Sequence, residues 1–214
     1  MFGIKKFDLL VSVYIFCIMI SELMGAKTVP LFKFNISVAV LVLPLVFTIN
    51  DIITEVFGKE RARSVIKSSF VTIVLLMLFS IIATNLQPSS RLAPNEKAYD
   101  TIFGLSIRIS AASLTAFMFA ELMDVLIFVK IRQKLGKSKL WLRNNASNFI
   151  AQFIDTFVFM TLAFYALDKP FSDNYAFLVS LIIPYWLLKC SMSIIETPFV
   201  YLGVKWLKNE DKSN

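Results

Sequence analysis

The chain has 214 residues, of which 57% are hydrophobic and only 17% charged, and its net charge is +7. A soluble domain of this length carries roughly 45–50% apolar residues, so the composition excludes an ordinary soluble domain and indicates a chain that lies largely in lipid. The sequence contains no His, which removes the commonest general base and metal ligand. We therefore expect a membrane protein that is not an enzyme and that has neither a metal nor a cofactor.

Six apolar segments are long enough to cross a bilayer, which takes about 20 residues in a helix. In chain order they cover residues 7–26, 36–57, 65–86, 103–129, 146–167 and 176–207. The first contains Glu22 and no cleavage site of small residues, so we interpret it as a retained helix rather than a signal peptide. The connection 87–102 contains Pro88 and Pro94 and is predicted to be an irregular external loop. Cys17 and Cys190 lie in apolar segments and are expected to be buried small side chains.

The sequence thus predicts one all-α domain over residues 1–214, a polytopic transmembrane bundle of six helices. Fifteen Lys and Arg residues fall on the side that holds both termini, against five on the other side. The positive-inside rule then places both termini in the cytoplasm. We expect the protein to lie in the inner membrane of the cell. The basic segment 130–143 is interpreted as a topology signal or a contact to anionic lipid, and no nucleic-acid partner is expected.

Ionisable residues inside the apolar segments are the strongest indication of function. Each costs at least about 2.5–3.5 kcal/mol at the centre of a membrane helix, so such residues face one another or a wet cavity. Nine are present: Glu22, Asp51, Glu55, Arg108, Glu121, Asp124, Asp155, Lys189 and Glu196. Spacings of three and four residues place most of them on one polar face of the second, fourth, fifth and sixth segments, together with Asn145 and Gln152.

Acidic residues outnumber basic ones in this set, which suits a cationic or hydrogen-bond-donating ligand, or a proton carried with it. Structural pairing is the alternative: Lys189 is spaced to meet Glu196, and Asp51 or Glu55 could meet Arg108. An aspartyl intramembrane protease is a weaker alternative: Asp51, Asp124 and Asp155 lie on different predicted helices, as such a pair requires, but Gly-Asp contexts are absent. An ion channel would need a filter rich in Gly, and the chain has only 6 Gly.

Several sequence elements, spread over about residues 40–200, resemble the motifs of the queuosine precursor transporters, also called the vitamin uptake transporter group. The second segment contains N-D-I-I-T-E-V-F-G-K at 50–59, followed by Ala62-Arg63. The fourth contains R-I-S-A-A-S at 108–113, then E-L-M-D at 121–124 and Phe128. The fifth contains W-L-R-N-N-A-S at 141–147 and Q-F-I-D-T at 152–156, and Lys189 matches a lysine of the last helix. Two positions depart from the pattern, because Glu121 replaces the usual Gln and Asn50 the usual Thr.

The resemblance implies six helices and the import of a 7-deazaguanine base for salvage into tRNA modification: 7-cyano-7-deazaguanine, 7-aminomethyl-7-deazaguanine or queuine. A carboxylate can accept two adjacent donors of a guanine-like edge at once, and Gln152 can bond its carbonyl oxygen. Phe117, Phe128, Phe153 or Trp186 could stack on the ring. The expected substrate-binding residues are Asp51, Glu55, Arg108, Glu121, Asp124, Asn145, Gln152, Asp155 and Lys189.

The partners expected from this interpretation are the nucleobase and the lipid bilayer, with proton coupling and a homodimer left open. An alternative is that the chain is the substrate-binding membrane subunit of an energy-coupling complex for a vitamin-like small molecule. The chain contains no nucleotide-binding motif and cannot hydrolyse ATP itself. The first segment has Gly25-Ala26 but no repeat of small residues for docking such a partner, which favours a transporter that works alone.

Overall fold

The computed structural model describes residues 5–31, 34–135 and 140–208, except the side chains at 121–122, 124–125, 128–129, 131–135, 140–148 and 192–194. Seven α-helices are present in this part of the chain. They are α1 Lys6–Met24, α2 Leu43–Phe57, α3 Lys59–Asn85, α4 Glu96–Leu135, α5 Leu140–Phe164, α6 Phe171–Ile195 and α7 Thr197–Lys208. A two-stranded sheet pairs β1 Thr28–Leu31 with β2 Phe34–Ser37, and short 3₁₀ helices cover Val38–Leu41 and Ala93–Asn95.

Among the described residues, four helical segments are long and apolar enough to cross a membrane: Lys6–Met24, Lys59–Asn85, Ala93–Ala120 and Phe171–Ser191. Only 22% of the apolar window of α3 is buried inside the protein. Such a surface would be costly in water, whereas in a bilayer the apolar side chains meet lipid tails. The fold is therefore that of an all-α, multi-pass membrane protein, as the sequence predicts.

The last predicted segment, 176–207, is two helices rather than one. The helix α6 ends at Ile195, Glu196 lies in a bend, and α7 begins at Thr197. Pro198 follows in the first turn of α7, where a missing N–H is tolerated; further inside a helix its ring would clash with the carbonyl four residues earlier. Pro184, in contrast, lies inside α6 without ending it.

The second predicted segment, 36–57, is helical only from Leu43, with Pro44 in the first turn. Its first residues form the end of β2 and the 3₁₀ helix instead. The 15 residues of α2 span roughly 22 Å at 1.5 Å per residue, which is less than the ~30 Å of a bilayer core.

The predicted loop 87–102 is also shorter than expected. A 3₁₀ helix begins at Ala93, and α4 starts at Glu96, whose carboxylate lies in the first turn. A negative charge stabilises the N-terminus of a helix. As a result α4 has 40 residues rather than the 27 of the predicted segment 103–129.

The chain divides into two compact units. The first contains α1, α2, α3, the start of α4 and α7; its residues are 1–27, 37–110 and 191–214. Its core is formed by Tyr14 of α1, Ile49 and Ile53 of α2, and Ala62 and Val65 of α3. Because lipid tails are as apolar as these side chains, close packing rather than exclusion of water holds such a core together in a membrane.

Two glycines shape the surroundings of α2, one through its backbone conformation and one through its lack of a side chain. Gly58, between α2 and α3, has a φ of 83°, a left-handed conformation that other residues adopt only with strain. Gly203 lies on α7, and a Cβ at this position would clash with the Cδ1 atom of Ile52. The second glycine therefore lets α7 lie directly against α2.

The second unit contains residues 28–36 and 111–190, which form the hairpin, most of α4, α5 and most of α6. Asn174, 3% exposed, fixes the connection between α5 and α6. Its side chain accepts from the Ala166 N–H at 2.8 Å and donates to the Ala166 and Lys169 carbonyls at 2.8 and 3.1 Å. On α6, the Ser180 hydroxyl accepts from Asn35 Nδ2 of β2 at 3.0 Å. Asn174 thus joins α6 to the connection that precedes it, and Asn35 joins β2 to α6.

Candidate functional site

An ion pair between α5 and α6 is the centre of the polar residues in the second unit. Lys189 Nζ donates to Asp155 Oδ2 at 2.6 Å, and the two side chains are only 16% and 30% exposed. The helical spacing of α5 places Gln152 one turn before Asp155, on the same face. The fifth and sixth predicted segments therefore do bring their polar faces together, and Lys189 pairs with Asp155 instead of Glu196, the partner that helical spacing alone suggested.

Gln152 has a neighbour on α6 that the sequence did not indicate. The Cys190 thiol donates to Gln152 Oε1 at 4.0 Å, a long sulfur contact. Sequence reasoning assigned Cys190 to the apolar packing, because nothing in the sequence distinguishes a thiol beside an amide from one among apolar side chains. The contact holds the Gln152 carbonyl toward α6, next to the residue that carries the ammonium group.

Aromatic rings lie beside this ion pair. The ring of Trp186, one turn before Lys189, meets Phe149 and Phe153 of α5 edge to face, with ring centroids 4.5 and 5.2 Å apart. The Trp186 Nε1–H donates to the Phe149 carbonyl at 3.3 Å. Two of the four aromatic residues considered for stacking, Phe153 and Trp186, thus lie next to predicted polar residues. Such rings fix the orientation of the helices and offer flat apolar surface.

Together, these side chains offer a cation with three donors, a carboxylate and an amide. Aromatic rings lie about one helical turn away. This combination can bind a flat, polar heterocycle that has both donors and acceptors along one edge. The described residues include no cluster of three or more metal-binding side chains.

In the first unit, Asp51 and Glu55 line a cavity of about 380 Å³ between α2 and α7. The other lining residues belong to α7: Thr197, Val200, Tyr201, Val204 and Lys208. The carboxyl groups of Asp51 and Glu196 share a hydrogen bond, and Glu196 lies in the bend before α7. Asp51 and Glu55 are among the predicted binding residues. Glu196 was predicted only as an ionisable residue of the last segment, and Tyr201 and Lys208 were not predicted, because a continuous last helix hid the bend that positions them.

The remaining predicted residues are distributed as follows. Arg108 is exposed on the part of α4 that belongs to the first unit, and it does not line the cavity beside Asp51. Glu121, Asp124 and Asn145 lie on α4 and α5, but their side chains are outside the described part of the structure. Their role in binding stays a prediction.

Other motif residues of the second segment have structural roles. Ala62 packs in the core of the first unit, where a small side chain lets α3 approach α1 and α2. Arg63 forms an exposed ion pair with Glu60 at 3.1 Å, a kind of contact that contributes about 0–1 kcal/mol. With Gly58 at the turn, these residues explain why the motif continues past Glu55.

Comparison with known proteins assigns the family. The profile of a family described as "Putative vitamin uptake transporter" matches residues 37–203, which is most of the chain. The chain belongs to this family. Its membership confirms the prediction made from the motifs at 50–59, 108–124 and 141–156, all of which lie inside the matched range. As a member, the chain is a multi-pass membrane transporter.

Three relatives in this family carry a more specific name. A "Probable queuosine precursor transporter" of Bacillus subtilis is 29% identical over 93% of this chain and 85% of its own length. A protein of the same name from Haemophilus influenzae is 31% identical over 65% of this chain and 57% of its own. The "Queuosine precursor transporter" of Escherichia coli K12 is 26% identical over 65% and 60%, respectively. No solved structure matches the chain.

Proposed function

We propose that this transporter imports queuosine precursors, 7-deazaguanine bases such as 7-cyano-7-deazaguanine, 7-aminomethyl-7-deazaguanine or queuine, for salvage into tRNA modification. The observation that carries the proposal is the Lys189–Asp155 pair with Gln152 and Trp186 beside it. The names of the three relatives support the substrate class.

The chemistry of a guanine-like edge fits these side chains. Its ring N–H and exocyclic amine are adjacent donors, and its carbonyl oxygen is an acceptor. A carboxylate has about four lone-pair positions, so Asp155 can accept from the base while it holds Lys189. The ammonium group of Lys189 has three donors, of which one is directed at Asp155. A second can reach the carbonyl oxygen, and Gln152 can supply either a donor or an acceptor.

The location follows from the distribution of basic residues. We infer that the protein lies in the inner membrane with both termini in the cytoplasm, because Lys and Arg concentrate on the side of the termini. The single-domain organisation and the homodimer are retained as predictions. The remaining predicted binding residues, Glu121, Asp124 and Asn145, would complete the recognition of the base and of its 7-substituent.

The test uses cells that cannot make the base. We expect that expressing the full chain with one of the three bases in the medium restores the modification in tRNA, measured by mass spectrometry of nucleosides. Asp155→Asn should abolish the restoration, whereas Asp173→Asn should not, because Asp173 is exposed at the start of α6. If none of the three bases restores the modification while the protein is present in the membrane, the proposal is wrong.

A further inference from the structure

Glu196 is a buried acid that the recognition of a base leaves unexplained. It is 6% exposed, and its Oε2 atom has no hydrogen-bond partner among the described residues. Its carboxyl group shares a hydrogen bond with that of Asp51 on α2. A buried oxygen without a partner costs about 1–3 kcal/mol, so a position of this kind needs a functional explanation.

A hydrogen bond between two carboxyl groups requires a proton on one of them. Two carboxylates at this distance repel each other and cannot both ionise, which is how paired acids come to share one proton. Glu196 is enclosed by protein, and burial disfavours the charged form. Asp51 is exposed toward the cavity between α2 and α7. Burial therefore favours the protonated form at Glu196 rather than at Asp51, and the exposed Asp51 connects the pair to the cavity.

The surroundings of the pair allow a proton to enter and leave. The titratable or charged groups that line the same cavity are Glu55, Tyr201 and Lys208. Glu55 and Lys208 have opposite charges, so the cavity has little net charge apart from the pair. The other helices packed on α2 are α1 and α3, and they meet its opposite face in the core around Tyr14, the titratable member of that core.

The arrangement suits a proton better than a metal ion. Sodium and calcium need several oxygen ligands around one point, and the described residues contain no cluster of three acids or other metal-binding side chains. The pair offers two carboxyl groups, which can share one proton. A cavity of about 380 Å³ reaches only the exposed member.

We propose that the Asp51–Glu196 pair is a proton-binding site that couples proton entry to uptake of the base. The proposal rests on the proposed function for its substrate. In the chain, Glu196 follows directly after α6, the helix that carries Lys189, so protonation acts at the end of the helix that recognises the base. Release of the proton leaves two carboxylates. Their repulsion disfavours the packing of the bend at Glu196 against α2.

The experiment uses the purified full chain in sealed vesicles and a radiolabelled 7-deazaguanine base. One assay imposes an inward pH gradient at zero membrane potential; the other is counterflow, in which vesicles preloaded with unlabelled base exchange it for labelled base without any gradient. One proton per neutral base gives about tenfold accumulation per pH unit at equilibrium, since one pH unit corresponds to a tenfold ratio of proton activity.

We expect the gradient to drive accumulation by the unaltered protein, and Glu196→Gln to abolish that accumulation while retaining counterflow. Asp173→Asn should behave as the unaltered protein. Circular dichroism and gel filtration identify a variant that fails to fold. If Glu196→Gln fails to fold, Glu196→Asp is measured instead. We expect reduced accumulation by Glu196→Asp, because the shorter side chain weakens the hydrogen bond to Asp51.

Three results would overturn the proton site: gradient-driven accumulation by Glu196→Gln equal to that of the unaltered protein, counterflow in the unaltered protein without any response to the pH gradient, or a response to a sodium gradient alone. Failure of the proposed function gives a different result, because the unaltered protein would then show counterflow with none of the three bases.

Discussion

Replacing Asp155 by Asn removes the negative partner of Lys189 while keeping the size of the side chain. The pair is joined at 2.6 Å and is mostly buried. A hydrogen bond to a charged group contributes about 1.5–3 kcal/mol, and the same carboxylate is proposed to accept from the base. At about 1.4 kcal/mol per factor of ten, we expect Asp155→Asn to weaken base binding roughly 10- to 150-fold.

The assay is the initial rate of uptake at base concentrations well below saturation, where the rate follows binding. A second variant separates binding from stability. Replacing both partners, as Asp155→Leu with Lys189→Met, leaves no unpaired charge, and a buried ion pair is often replaced by apolar side chains without loss of stability. We expect this double variant to insert and fold but not to transport.

The double variant also provides the refutation. If the ion pair only holds α5 against α6, the apolar pair should restore uptake that Asp155→Asn has lost. Uptake by the double variant within about twofold of the unaltered protein would show that Asp155 and Lys189 do not bind the base. Unaltered uptake by Asp155→Asn itself would lead to the same conclusion.

Three further predictions concern stability and are measured as melting temperature in detergent. Gly203→Ala places a methyl group against Ile52 and should lower the free energy of unfolding by about 1–3 kcal/mol. The control Gly104→Ala, with open space around its Cβ, should not lower it. Equal effects of the two substitutions would contradict the close packing of α7 on α2. Gly58→Ala should cost about 1–2 kcal/mol, because φ is 83° there, and an unchanged melting temperature would refute the turn. Asn174→Ala loses the hydrogen bonds that join α5 to α6 and should cost at least about 1 kcal/mol, which an unchanged melting temperature would contradict.

Much of the fold could be predicted because an apolar run of 20 residues leaves few alternatives in a membrane. The helices α1 and α3 match their predicted segments to within a few residues, apart from the start of α3 at Lys59. The facing of Asp155 and Lys189 was predictable as well, since each polar face had to turn away from lipid. The ionic partner of Lys189 was not predictable, because spacing along one helix does not show which residue of the neighbouring helix lies opposite.

The break at Glu196 shows where the sequence is ambiguous. Pro184 and Pro198 lie in one apolar run, and membrane helices tolerate proline when other groups satisfy the freed carbonyl. Pro184 is inside α6, whereas Pro198 lies in the first turn of α7. Ile183 precedes Pro184, whereas the polar Glu196 and Thr197 precede Pro198, and the new helix begins beside the proline with polar neighbours. The hydrogen bond between Glu196 and Asp51 depends on that break.

The hairpin of β1 and β2 was missed for a related reason. Residues 36–42 are apolar and continue the hydropathy of α2, so the composition favours a longer helix. Ser37 ends that continuity: its hydroxyl donates to the Gly25 carbonyl at 2.6 Å and accepts from the Ala39 N–H at 3.2 Å. Serine side chains compete with helical hydrogen bonds in this way. Here the Gly25 carbonyl, directly after α1, supplies the acceptor that a longer α2 would not offer.

The most direct test of the central claim is uptake of labelled 7-deazaguanine base by vesicles that contain this purified chain and no other protein. We predict saturable uptake of at least one of the three bases, competed by the unlabelled base and lost in Asp155→Asn. Uptake without an ATPase partner would also exclude the alternative of an energy-coupling subunit. Folded protein in sealed vesicles that takes up none of the three bases would contradict the account.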